Sequence, residues 1–528
     1  MNLSKPSSYV VFSGGSACNH ILDGFHKTAA NDVTYLLSIS DDGGSSSELL
    51  RVLGGPSVGD LRSRLIRLMD ALDENSTKEM RAIKDLLSYR LPIDKNHQRV
   101  RDEWALIVEG RHSLWNDISI EKREAIRGFL TLFDFEILKR AHKRFNFCNG
   151  SIGNFFLTGA RLFTGSLEAA IFLFASIIGI TSVPTSVVPV INTNQTVTIA
   201  ASLMNGETLV GQCEISHPSP KQPQRKNGAS TPRRKRTNPI DAFSCFEDPF
   251  STMSMTTMND QQTTKMLNDD DNSNDNLFFS KQVDQKLDSP IDRIYYINEF
   301  GQEIYPVPNP KVVSHLSAKK TLVYSIGSLY TSLIPCLVLR GIGNAISQSQ
   351  SLKHKVLLLN GTNDRETSDY TALDFINAIT SALNESQRID ARRAFYQSCD
   401  DEEEEDDDDY IPEYSNSRTS SVTSTTINTP PSSYSMNSHL STMAIGSMPG
   451  SPSHHYPPFP SNSFYPSPIS AFITHMVYLD NSAIKVDVNA IEKLGIKCIC
   501  MKGSTSDIGE PIYHETYFTE TIEQIVNN

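Results

Sequence analysis

The sequence predicts an α/β protein built on a parallel β-sheet with helices on both faces. Residues 9–13 are typical of a buried strand. A glycine turn, a helical pattern over residues 19–29 and a second apolar run over residues 33–40 follow in that order. Strand, turn, helix and strand in succession are characteristic of a parallel sheet, whose buried strands are continuous apolar runs. Further runs of this kind occur at residues 185–191, 321–326, 355–359, 476–478 and 497–501.

The rest of the chain divides into a helical subdomain and two insertions. Between residues 69 and 144, apolar residues recur at intervals of three and four among many charges, which predicts a helical subdomain at about residues 70–145. Residues 217–286 are rich in Pro, Ser, Asn, Gln and Asp, and residues 397–467 are rich in Ser, Thr, Pro and acidic residues. Such compositions bury too little apolar surface to offset chain entropy, so we predict two disordered insertions. The α/β core then comprises residues 1–216, 287–396 and 468–528.

Composition excludes several classes of protein. The 528 residues carry 48 Lys and Arg against 61 Asp and Glu, and much of the net charge of −13 comes from the acidic run at residues 400–409. This balance argues against nucleic acid as a partner. Eight cysteines without framework spacing predict a reducing compartment and no structural zinc. The longest apolar stretch, residues 169–180, is too short to cross a bilayer and predicts a buried core helix. With no signal-peptide pattern at the start, we expect a cytoplasmic protein with no membrane partner.

The clearest functional signal follows the second predicted strand, where the sequence reads Asp41-Asp42-Gly43-Gly44-Ser45. Open α/β sheets bind ligands at the carboxyl edge of their strands. Adjacent carboxylates there can hold a divalent cation or deprotonate a hydroxyl, glycines let phosphates approach, and serines donate to oxygens. The alternative is a solvated turn that caps a helix.

Two further motifs in the first part of the core suit an anionic ligand. Gly14-Gly15-Ser16 closes the first strand, where backbone N–H groups meet an anion at a helix start, although an ordinary strand-to-helix turn fits as well. Further on, Asp60 suits a helix cap and Arg62 suits a phosphate, with a capped surface helix as the alternative.

Three later segments have similar compositions. Asn154 follows a glycine-rich loop, Gly327-Ser328-Leu329-Tyr330 follows another predicted strand, and Arg365 lies in the polar loop after the next strand. Each segment alone fits an ordinary loop. Several strand ends with small, polar and charged residues together predict one ligand cleft.

In this order, the motifs resemble the CofD/YvcK family, also called UPF0052, which contains 2-phospho-L-lactate transferases of deazaflavin coenzyme synthesis and gluconeogenesis factors. The resemblance spans nearly the whole predicted core. It implies a Rossmann-like parallel sheet and a nucleoside diphosphate-linked small molecule as the ligand. The matching segments are residues 14–16, 41–46, 59–62, 150–154, 327–332 and 474–475.

The resemblance leaves two functions open. In the transferase branch, a deazaflavin hydroxyl attacks a guanosine diphosphate-linked donor with the help of Mg²⁺, and GMP leaves. Asp41 and Asp42 would then be the catalytic residues and metal ligands, while the glycine turn, Gly327, Ser328 and Tyr330 would contact the nucleotide. In the regulatory branch, a non-catalytic regulator of carbon metabolism binds a nucleotide sugar, with Tyr330 and Arg365 as contacts.

The insertions suggest regulation. Arg233-Arg234-Lys235-Arg236 is either a nuclear import signal, which would add a nuclear location, or a solvated charge run. Serine and threonine are frequent in both insertions, which suits a kinase. The acidic run either recruits a basic protein partner or keeps its loop soluble. A homo-oligomer also remains open.

Overall fold

The computed structural model describes residues 7–14, 17–26, 32–71, 77–140, 142–180, 184–217, 286–405, 459–460 and 462–527. The chain divides into two compact units, Met1–Gln387 with Pro466–Asn528, and Arg388–Tyr465. The first predicted insertion, with its basic run, lies almost entirely outside the described residues. Much of the second also lies outside them, although one helix continues to Glu405.

The strands occur in three sheets, and their bounds in chain order are as follows. They are β1 (Ser8–Ser13), β2 (Asp32–Leu37), β3 (Thr185–Pro189), β4 (Thr198–Leu203), β5 (Thr208–Val210), β6 (Ile291–Ile297), β7 (Glu303–Ile304), β8 (Thr321–Tyr324), β9 (His354–Leu358), β10 (His475–Leu479), β11 (Lys497–Met501), β12 (Gly503–Thr505) and β13 (Pro511–Tyr513).

The helices connect and cover these strands. They are α1 (Leu22–His26), α2 (Ser45–Leu53), α3 (Gly59–Ala71), α4 (Lys78–Ser88), α5 (His97–Val108), α6 (Ile120–Leu138), α7 (Ile152–Thr164), α8 (Leu167–Ile177), α9 (Gln212–Ser216), α10 (Pro310–Ala318), α11 (Ile334–Leu337), α12 (Ile342–Ser347), α13 (Ala372–Glu405), α14 (Ile469–Phe472), α15 (Val488–Lys493) and α16 (Glu515–Asn527).

The main sheet has seven strands in the order β11-β10-β9-β8-β1-β2-β3, and every neighbouring pair is parallel. Each strand overlaps one of the apolar runs identified in the sequence, so the predicted fold class is confirmed. The interior strand β1 is buried over residues 9–12, as expected for a parallel sheet covered by helices on both faces.

The connections place a topological switch point beside β1. From β1 the chain continues to β2 and β3 on one side, whereas β8, β9, β10 and β11 follow one another on the other side. The crevice outside the carboxyl ends of β1 and β8 is therefore where a sheet of this kind binds a ligand.

Three helices, α4, α5 and α6, pack with α7, and α5, α6 and α7 share a cluster of aromatic rings. Phe155 stacks on Phe133 with ring centroids 4.5 Å apart and meets Trp104 edge-on at 5.2 Å. Such pairs add stability beyond the apolar area that they bury. The cluster fixes the first turn of α7, which carries Asn154.

Two features differ from the sequence interpretation. The predicted buried helix at residues 169–180 is α8, and it is only half-buried: Ala170 and Phe174 face the core, whereas Phe172 is 64% exposed. The neighbouring α7 is the more deeply buried helix. The sequence analysis also missed the antiparallel sheet β5-β4-β6-β7 and the hairpin β12-β13, in which four of the six strands have only two or three residues. Among the described residues, no helix is long and apolar enough to cross a membrane.

Candidate functional site

The predicted site residues follow neighbouring strands of the main sheet. Gly14 follows β1, Asp41 and its glycine loop follow β2, Gly327 follows β8 and Arg365 follows β9. Because these four strands are adjacent and parallel, their loops lie along one edge at the switch point. Gly15 and Ser16 lie outside the described residues.

Two glycines allow the backbone to pack closely at the switch point. A Cβ atom on Gly14 would overlap the side chain of Ser332, which belongs to the π-helical turn Leu329–Leu333. Gly327 has a φ of 144°, and a Cβ there would point at the Gly14 backbone 3.9 Å away. Both positions therefore require glycine, one because of close approach and the other because of its backbone conformation.

Asp41 is a desolvated carboxylate beside a second acid. Its Oδ1 accepts a hydrogen bond from Gly43 N at 3.1 Å, and its Oδ2 lies 3.2 Å from the position of a Cβ on Gly59, at the start of α3. Burial raises the pKa of Asp41 to about 8, and the charges of Asp60 and Asp42 add to that effect. The carboxyl group is thus close to its titration point near neutral pH.

Asp42 has different surroundings from its neighbour. Its Oδ1 accepts a hydrogen bond from Cys213 N at 2.8 Å, and a Cβ on Gly211 would overlap its Oδ2. Burial raises the pKa of Asp42, whereas the Cys213 N–H acts in the opposite direction. The two adjacent aspartates therefore face different elements: Asp41 faces α3, and Asp42 holds the start of α9.

The acidic residues fit a cation that is shared with a phosphorylated ligand. Within the part of the chain that the structure describes, no three or more His, Cys, Asp or Glu side chains are grouped to hold a metal. Mg²⁺ commonly binds one or two carboxylates and completes its shell with water and substrate phosphates. Asp41 and Asp60 could hold such a cation, because burial and the charge of Asp60 raise the pKa of Asp41 and a cation would favour its ionised form.

Basic and amide groups lie beside the acids. Arg62 Nε donates to Asn154 Oδ1 at 3.2 Å, and Asn154 Nδ2 donates to Ser45 Oγ at 2.9 Å. Burial and the nearby charge of Arg90 lower the pKa of Arg62 to about 10. Two guanidinium groups this close to one another favour an anion between them. The structure thus joins Arg62, Asn154 and Ser45, which are distant in sequence.

The loops after β8 and β9 are bonded to each other. Asn360 Oδ1 accepts from Gly327 N at 3.1 Å, and Asn360 Nδ2 donates to Gly327 O at 2.8 Å. Tyr330 and Tyr370 pair through their hydroxyl groups at 2.8 Å. Arg365 has buried Nε and Nη1 atoms without a hydrogen-bond partner among the described residues, and burial lowers its pKa. The charges of Asp288, Glu214 and Glu366 act on the guanidinium in the opposite direction, and the two donors without a described partner remain for a ligand.

Glu366 is a residue that the sequence analysis missed. Its carboxylate accepts from Tyr330 N at 2.9 Å, from Thr331 N at 3.2 Å and from Thr331 Oγ1 at 2.6 Å, and it also accepts from Ser216 Oγ of α9. Burial and the charge of Asp364 raise its pKa to about 7. Glu366 thus ties the β8 and β9 loops to the helix that Asp42 caps. Its signal in the sequence was an acid beside Arg365 in a strand-end loop.

The fold and these loops define an α/β protein with a polar ligand cleft at its switch point. A family model described as 2-phospho-L-lactate transferase CofD matches residues 9–423. The chain belongs to this family, CofD or UPF0052, as its motifs predicted.

Several known proteins are similar to the chain. "Uncharacterized protein YNL011C" of Saccharomyces cerevisiae is 39% identical over 387 residues, which are 71% of this chain and 83% of that protein. A Clostridium acetobutylicum protein named "Putative gluconeogenesis factor" is 22% identical over 378 residues, 72% of this chain and 54% of that one. The crystal structure of a UPF0052 protein from Bacillus halodurans superposes with a TM-score of 0.51. The match covers 98% of this chain and 99% of that one, at 15% sequence identity. At this identity, the last similarity shows the shared fold.

Proposed function

We propose that the protein binds a nucleoside diphosphate-linked small molecule at the switch point and transfers a phosphorus-containing group from it to an acceptor hydroxyl. One observation carries the proposal: the desolvated carboxylate of Asp41 lies at the same sheet edge as Arg365 donors that have no partner in the described part of the chain. Guanidinium groups suit the charge of a diphosphate, and a carboxylate of this kind suits a cation or a proton. Membership of the CofD family supports this ligand class.

The transfer requires one bond to form and one to break. The acceptor oxygen bonds to the distal phosphorus of the donor, the bond from that phosphorus to the bridging oxygen breaks, and a nucleoside monophosphate leaves. The acceptor's proton passes to a carboxylate or to water. Only the ionised form of Asp41 can accept that proton, and its pKa of about 8 makes this form a strong base for a carboxylate. Arg62 and Arg365 would orient the phosphates.

Magnesium would be held by Asp41 and Asp60 together with the donor's phosphates, and it would supply positive charge to the phosphate oxygens. Asp41 then has two alternative roles, cation ligand or proton acceptor. A magnesium titration followed by thermal unfolding separates them. If Asp41 is the ligand, Asp41→Asn loses the stabilisation by magnesium; if it is the proton acceptor, the variant keeps that stabilisation and loses turnover.

A ligand screen is the first test of the proposal. Purified protein is heated with GTP, GDP, UDP-N-acetylglucosamine or deazaflavin, with and without magnesium, because a ligand that binds the native state raises the melting temperature. A magnesium-dependent rise with guanine nucleotides supports the transferase and directs the search to its acceptor. Asp42→Asn should abolish turnover and spare much of the nucleotide affinity, whereas the exposed control Asp292→Asn should change neither. Full turnover in the Asp42 variant would remove that residue from the mechanism.

A second function is a non-catalytic regulator that binds a nucleotide sugar. It is favoured by two relatives named "Putative gluconeogenesis factor", which align over 378 and 377 residues. A melting shift with UDP-N-acetylglucosamine alone, weakened by Tyr330→Phe and by Arg365→Met, would support the regulator. Unchanged affinity in both variants would contradict these contacts.

The insertions are proposed as sites of regulation in a cytoplasmic protein. Phosphorylation by a kinase would add about −1.5 to −2 charges at each modified Ser or Thr. Mass spectrometry of protein isolated under several nutrient conditions tests this proposal. Insertions that remain unmodified in every condition would contradict it.

A further inference from the structure

A small cavity lies beside the cleft, between the turn that joins α2 to α3 and the helix α7. Its walls include Ser46, Ser57, Val58, Thr158 and Arg161, and it has room for a single particle close to the size of a water molecule. A Cβ on Gly59 would contact both Ser46 Oγ, at 2.8 Å, and Asp41 Oδ2, at 3.2 Å. Gly59, at the start of α3, thus lies close both to a wall residue of the cavity and to the Asp41 carboxylate.

Arg161 is the charged group of this cavity, and the chain is shaped around it. The residue is 5% exposed. Gly54 and Gly55, with φ angles of 67° and 93°, form a turn against the guanidinium, and a Cβ on Gly55 would lie 2.6 Å from Arg161 Cζ. Arg161 Nη2 donates to Gly54 O at 3.3 Å, while the buried Nε has no hydrogen-bond partner among the described residues.

No carboxylate balances this buried cation within the described part of the chain. Arg161 takes part in none of the ion pairs found there, and the charge that acts on it is Arg140, another cation. Glu48, the acid on the adjacent helix α2, is already bonded to Arg51 and to Asn146 N. A buried charge is unfavourable unless an opposite charge pairs with it. Since the described residues supply no counter-charge, a small anion from solution could provide it.

The other polar groups of the cavity also suit an anion. Ser57 is 4% exposed, and its hydroxyl has no hydrogen-bond partner among the described residues. A hydroxyl and a guanidinium N–H can both donate to one anion. A water molecule at the same place would use the donors but would leave the positive charge unbalanced. The small size of the cavity excludes a nucleotide and favours a halide.

We propose that this cavity binds one small inorganic anion of the size of chloride, as the counter-ion of Arg161. The anion would hold the Gly54-Gly55 turn against α7 and so support the backbone behind Asp41. This site is separate from the proposed nucleotide site, and it does not depend on the proposed transfer.

Thermal unfolding at constant ionic strength tests the proposal. Sodium chloride or bromide is compared with sodium gluconate, whose anion is too large to enter the cavity. We expect the melting temperature of the wild-type protein to rise with halide and to saturate, as it does for a bound ligand. Arg161→Met removes the charge and keeps most of the volume, so it should lose the response, whereas Arg161→Lys should keep part of it.

A matched control and a direct observation complete the test. Arg99→Met removes a guanidinium that is 78% exposed, and this variant should respond to halide as the wild type does. Crystals soaked in bromide should show an anomalous peak within hydrogen-bond distance of Arg161 Nε. Equal halide responses in the wild type and Arg161→Met, or a bromide map without a peak in the cavity, would overturn the proposal. If Arg161→Met fails to fold, the bromide map of the wild type decides the question.

Discussion

Replacing Asp41 by Asn should stabilise the protein increasingly as the pH rises. Asp41 has an ordinary pKa of 3.8 and a pKa of about 8 in the folded protein, because it is buried beside Asp60. In this interval the unfolded chain gives up the proton while the folded chain keeps it. The wild-type stability associated with Asp41 is therefore complete below pH 4 and is lost as the pH rises towards 8. Asparagine does not ionise, so the variant escapes this loss.

The magnitude follows from the interval between the two pKa values. At about 1.36 kcal/mol for each pH unit, a difference of about four units sets a ceiling of about 5–6 kcal/mol. Asp41 is partly accessible to solvent, which screens its charge, so we expect about 2–4 kcal/mol. The advantage of Asp41→Asn over the wild type should grow by that amount between pH 4.5 and 8.5, roughly the range between the two pKa values.

Urea unfolding followed by circular dichroism, repeated across this pH range, measures the difference directly. Asp292→Asn is the matched control because Asp292 is exposed on β6, and its difference from the wild type should not depend on pH. A constant difference for Asp41→Asn at every pH would refute the reasoning, since it would mean that Asp41 ionises normally in the folded protein.

Three further predictions concern the packing of the cleft. Gly14→Ala should lower the free energy of unfolding by about 1–3 kcal/mol because its Cβ would overlap Ser332. In urea unfolding, the double variant Gly14→Ala with Ser332→Gly should recover most of this loss. If the stability losses of the two single variants simply add in the double variant, the contact is contradicted. Glu366→Ala should cost about 3–5 kcal/mol because it leaves several buried donors unpaired. The control Glu520→Ala, at an exposed position of α16, should stay within about 0.5 kcal/mol in the same assay. Arg365→Met should leave thermal stability unchanged or raise it, because buried Arg365 donors lack protein partners among the described residues. Calorimetry of the same variant should find weaker nucleotide binding. Loss of stability with intact binding would assign Arg365 a structural role.

The sequence alone determined the main sheet and the family. The apolar runs at all seven strands of that sheet are local patterns, because a strand buried on both faces must be apolar along its length. The motifs after those strands were visible for the same reason: glycines, acids and arginines interrupt an apolar pattern. The short strands of the antiparallel sheet were missed because β5 and β7 contain too few residues to show a period.

Only the tertiary structure decided how the motifs meet. Adjacent residues Asp41 and Asp42 have the same side chain, yet one faces α3 and the other caps α9, because their partners come from distant parts of the chain. Glu366 joins three segments, and Arg161 is buried beside Arg140 without a carboxylate among the described residues. Hydrogen-bond partners, desolvation and charge balance depend on which surfaces pack together. The local sequence pattern determines the strands and helices, whereas the electrostatics of a site depend on how those strands and helices pack.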